Sequence, residues 1–94
     1  MSKMRGDYDV PRTSLSITFD HRKDDYYGGH GLHCHVLQGG SDNRIASISL
    51  ETFSVMAGSL PGGKEERILW DWIRSNASML IEDAKYWRDN GSTW

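Results

Sequence analysis

Cysteine, proline and long apolar runs are all scarce in this chain. Its 94 residues include one Cys and two Pro. The single Cys34 excludes an internal disulfide and suits a reducing compartment. No strictly apolar run exceeds three residues, far short of the ~20 that a bilayer-spanning helix needs. The opening Met1-Ser2-Lys3-Met4-Arg5-Gly6-Asp7 is polar and holds no signal-peptide core. A formal net charge of −2 excludes an overall basic field that would draw in nucleic acid or anionic lipid, although a local basic patch stays open. The expectation is a cytoplasmic chain with no membrane partner, of a length that suits one domain with a modest core.

What is present is patterned. Residues 1–13 carry little apolar content and read as a flexible N-terminal arm ahead of a single α+β domain over 14–94. Leu15, Ile17 and Phe19 alternate with Ser14, Ser16 and Thr18, the period of a strand. A charged, glycine-rich loop from Asp20 to Gly31 follows, with Tyr26-Tyr27-Gly28-Gly29 at its centre. A second strand begins near Leu32, and Gly39-Gly40-Ser41-Asp42-Asn43 supplies turn chemistry. A third strand runs from Arg44 to Leu50. Glu51 to Ala57 reads as a short helix closed by Gly58. The segment from Lys64 to about Asn90 reads as one long helix that Ser75-Asn76 can kink. The fold expected is a three-stranded, mostly antiparallel sheet with the long helix and the short one packed on one face. Its core would join Leu15, Ile17, Phe19, Leu32, Cys34, Val36, Ala46, Ile48 and Leu50 to Leu69, Trp72, Ile73, Leu80, Ala84 and Trp87.

Chemistry concentrates in His30-Gly31-Leu32-His33-Cys34-His35-Val36. A period of two sends Leu32, Cys34 and Val36 to one face and both His33 and His35 to the other. The same parity sets Ser14, Ser16, Thr18, Ser47 and Ser49 beside the imidazoles, so an open, hydroxyl-lined face is expected. Three readings follow. A divalent metal can sit on His33 and His35 with His30, His21 or an Asp of the loop as third ligand. Alternatively, His33 and His35 act as a catalytic acid–base pair, for instance on an RNA 2′-hydroxyl, with Tyr26, Tyr27, Arg22, Lys23 and Arg44 as phosphate clamp or second proton carrier. In the third reading both are half-exposed sheet residues bonded to serines or touching a partner, with no cofactor. Cys34, among apolar neighbours, reads as an inert thiol.

The long helix carries more apolar surface than a three-stranded sheet needs, an arc of roughly 200° against the roughly 100° of a one-sided helix. Trp70, Met79 and Ile81, together with Tyr26 and Tyr27, are therefore candidate contacts for a protein partner or a second copy.

With these residues laid out, the chain resembles a family of small bacterial proteins of unknown function. The features that carry the likeness are His33-Cys34-His35-Val36, then Ile45-Ala46-Ser47-Ile48-Ser49-Leu50, then Trp72-Ile73 through Asn76, Leu80 and Trp87. Members of that family look like one half of toxin–antitoxin-type gene pairs. The resemblance implies a protein that binds a macromolecular partner in such a pair or in phage defence. The alternatives are a histidine-dependent ribonuclease toxin, for which RNA would be a partner, and a phage-encoded inhibitor of a host defence nuclease.

Overall fold

The computed structural model describes residues 8–20, 31–39 and 43–90. They form an antiparallel five-stranded sheet in chain order and two helices, an α+β architecture. The strands are β1 (Tyr8–Asp9), β2 (Leu15–Thr18), β3 (His33–Gln38), β4 (Arg44–Ser49) and β5 (Val55–Gly58); the helices are α1 (Gly63–Ser75) and α2 (Ala77–Asn90). No helix among the described residues is long and apolar enough to cross a membrane.

The expected alternation sets the register of the central strands. Ile17 lies opposite Val36 and Val36 opposite Ala46, while Cys34 faces Ile48. This apolar side packs on Leu69 and Ile73 of α1 and on Leu80 and Ala84 of α2, all fully buried. Leu32, Trp72 and Trp87 lie partly buried against the same core. The core therefore forms from the residues that parity and helical spacing select.

Two strands go beyond the expected three. Tyr8 and Asp9 pair with Ile17 and Ser16, and Val10 is only 2% exposed in the core, so residues 8–10 belong to the domain and not to an arm. The tie is made by Tyr8, whose hydroxyl donates to the buried carboxylate of Asp83 on α2 and whose ring lies 6.0 Å from that of Trp72. Residues 1–7 lie outside the described residues.

The short helix expected over 51–57 is instead a hairpin. Ser49 Oγ accepts from the backbone N–H groups of Glu51 and Thr52, Phe53 N–H donates to Ser49 O at 2.9 Å, and Phe53 turns the chain at φ 55°. β5 then pairs with β4. A seven-residue helix has a costly nucleus and few internal bonds, whereas the outer edge of β4 offers a ready row of partners. Gly58 does adopt the left-handed φ expected of it, at 75°, but at the end of a strand. A Cβ there would overlap the Ile45 carbonyl oxygen and lie 2.9 Å from Ala46 Cα.

The long helix is two helices, interrupted at Asn76 as its polar side chain suggested. Asn76 Nδ2 donates to Trp72 O at 2.9 Å, competing for the helical acceptor, while Asn76 O receives Leu80 N–H and opens α2. The break lets both pieces lie on the sheet. Trp70, Met79 and Ile81 lie half-buried against the core.

Candidate functional site

The face of the sheet opposite the helices brings three side chains to one point. Thr18 pairs with His35 across β2 and β3, so antiparallel counting puts Asp20, two residues on, against His33. Phe19 between them is buried in the core and fixes that parity. Asp20 Oδ2 lies 2.9 Å from His33 Nε2 and 2.7 Å from His35 Nε2. The two rings meet edge to face, with centroids 5.2 Å apart.

Each imidazole is also held from behind. His33 Nδ1 donates to the Gly31 carbonyl at 2.9 Å, and since a carbonyl only accepts, that nitrogen carries a proton. His35 Nδ1 lies 2.9 Å from Ser47 Oγ on the adjacent strand, a hydroxyl that can donate or accept. Asp20 Oδ1 receives Arg44 Nη1–H at 3.2 Å. Burial, the largest single influence on Asp20, favours its neutral form. The hydrogen bonds from His33 and His35 and their charges together outweigh it and hold the carboxyl well below the ordinary carboxylate range. Asp20 is thus an anion. His33, donating on both sides, needs both of its protons in the cation-free cluster, whereas His35 needs only one.

One ligand atom from each of Asp20, His33 and His35 falls within 4.8 Å of the others, a spacing at which they can hold a metal ion. Two neutral imidazoles and one carboxylate are the donors of three-ligand zinc centres and of the two-histidine, one-carboxylate triad of iron sites. Ligands at ~2.1 Å from a tetrahedral ion stand roughly 3.4 Å apart. The two carboxylate–imidazole pairs, at 2.9 and 2.7 Å, need to open by roughly half an ångström or slightly more, within the reach of small side-chain rotations. The bonds from His33 Nδ1 and His35 Nδ1 are the outer contacts that orient metal-bound histidines.

The expected face is thus correct in side but not in openness. His33 is only 4% exposed, and His35 is half-buried. Ser47 does serve an imidazole, but Ser49 spends its hydroxyl on the β4–β5 turn. Asp20 was foreseen only as an unnumbered Asp of the loop. Strand parity run two residues past Thr18 is the signal that identifies it. Of the expected metal ligands, His33 and His35 meet here, whereas His30 and His21 lie outside the described residues, as do Arg22, Lys23, Tyr26 and Tyr27. Cys34 points into the core at 0% exposure, and burial pushes its thiol up to about 12, consistent with an inert thiol.

The chain matches no family model, no curated protein and no solved structure.

Proposed function

We propose that this protein binds one divalent cation of borderline hardness, such as zinc or iron(II), through Asp20, His33 and His35, and acts through that centre. The observation that supports this is the convergence of both Nε2 atoms on a single carboxylate oxygen, at 2.9 and 2.7 Å, while both Nδ1 atoms are already engaged behind. Two imidazoles aimed at one partly buried anion form a receptor for positive charge, which a proton fills in one state and a metal in the other.

A competitive titration against a chromophoric chelator, with zinc added to tag-free protein, tests the reading. Wild type is expected to take up one equivalent, and His35→Ala and Asp20→Asn at least tenfold less tightly, with folding checked by circular dichroism. Wild type that competes no better than His35→Ala would overturn it.

A second reading uses the same cluster without metal, as the acid–base pair of a histidine-dependent ribonuclease. Its support is that the present distances are those of hydrogen bonds and that Arg44 stands beside the pair. RNA cleavage that survives a strong chelator and is lost in His33→Ala would favour it over the metal centre. Either chemistry fits one member of a toxin–antitoxin-type pair, the role that the family resemblance implies, and co-purification with a co-expressed neighbouring gene product tests that pairing.

A further inference from the structure

The cluster is not equally shielded on all sides. Side-chain exposure rises from 5% at His33 through 13% at His35 and 16% at Asp20 to 53% at Arg44. Among the described residues, Arg44 is thus the most solvent-exposed member of the cluster.

Arg44 is half-exposed and reaches back to the cluster. Its Nη1 donates to Asp20 Oδ1 at 3.2 Å, the oxygen turned away from the histidines, and that bond uses one of five N–H donors. A guanidinium this close to a cation site weakens the cation's binding by direct repulsion. The placement makes chemical sense where a further negative group comes between the two. Among the described residues one carboxylate faces the dication, which leaves net positive charge there, and Arg44 adds to it.

On the cation-binding reading above, we propose that the centre takes a small oxyanion, a phosphate or carboxylate group, held jointly by the bound cation and the Arg44 guanidinium. A planar guanidinium presents paired N–H donors at the spacing of two oxygens of either group, which a lysine does not. Asp20 holds Arg44 by one oxygen and the ion by the other, and so sets the distance between the two halves of the anion site.

Cobalt(II) serves as probe, because its visible spectrum changes when a ligand enters its coordination sphere. The cobalt-loaded protein is titrated with inorganic phosphate and, separately, with acetate, and the tighter of the two identifies the group. Wild type is expected to give a saturable spectral change. Arg44→Gln is expected to bind cobalt as tightly or more tightly, since a like charge has gone, yet to require roughly ten- to a hundredfold more anion. Arg44→Lys, with the charge but not the fork, falls between. Equal anion affinity in wild type and Arg44→Gln, or no response to either anion, overturns the proposal. So does weaker cobalt binding in Arg44→Gln, which would mark the guanidinium as a support for Asp20. Failure of wild type to bind cobalt at all is a separate result that removes the cation site itself.

Discussion

Zinc added to the cation-free protein at about pH 6.5, near the ordinary histidine value, is expected to release about one proton per ion. The number comes from the hydrogen bonds. Before the ion arrives, His33 donates from Nδ1 to Gly31 O and from Nε2 to the Asp20 anion, so it carries two protons. His35 donates from Nε2 to the same oxygen, and Ser47 Oγ is able to donate to its Nδ1, so one proton satisfies it. A bound cation needs a lone pair at both Nε2 atoms. His33 meets that need by losing its Nε2 proton to solvent while keeping its bond to Gly31. His35 meets it by moving its single proton to Nδ1, where Ser47 Oγ becomes the acceptor. One proton leaves and one changes place. Affinity then rises about tenfold per pH unit, ~1.4 kcal/mol, wherever His33 is doubly protonated. Calorimetric titration in buffers of different ionisation enthalpy reads the proton count as a slope. A value near zero would mean that His33 enters neutral, and a value near two that both rings were charged; either refutes the assignment.

Two further predictions concern the scaffold. Gly58→Ala forces a Cβ onto the Ile45 carbonyl and an L residue into φ 75°, which is expected to cost at least about 2 kcal/mol and lower Tm by roughly 10 °C; an unchanged melting curve contradicts the described β4–β5 pairing. Cys34, whose thiol burial raises from 9.0 to about 12, has a native state that holds its proton after the unfolded chain has lost it, so stability falls with rising pH across that interval by at most ~1.4 kcal/mol per unit. Urea unfolding of wild type and Cys34→Ala between pH 8 and 10.5 checks the sign, and parallel pH profiles would refute it.

The sheet core was legible because strands and helices with one buried side write their period directly into the sequence. Leu15, Ile17, Cys34, Val36, Ile48, Leu69, Ile73, Leu80 and Ala84 all lie where that period puts them. Tyr8–Asp9 and Val55–Gly58 were not legible, because an edge strand has no period to show. β1 is two residues long, and β5 is exposed at all four positions. Their pairing is decided by what β2 and β4 leave unsatisfied, which no local window contains. The two histidines were visible as a pair, and their side followed from parity. Asp20 was harder, since a residue at the mouth of a loop reads as loop. Only the cross-strand register, Thr18 against His35, shows it to be the continuation of a strand face. The burial of His33 depends on tertiary packing alone.

The position of Cys34 between the two imidazoles carries a cost for variation. Because one short strand serves as a wall of the hydrophobic interior and as the mount for the ligand atoms, an enlarged or shrunken side chain at Cys34, or at Ile48 across from it, tilts β3 and alters the gap between His33 and His35. Substitutions under the helices are therefore screened twice, once for folding and once for the aim of two nitrogens they never touch.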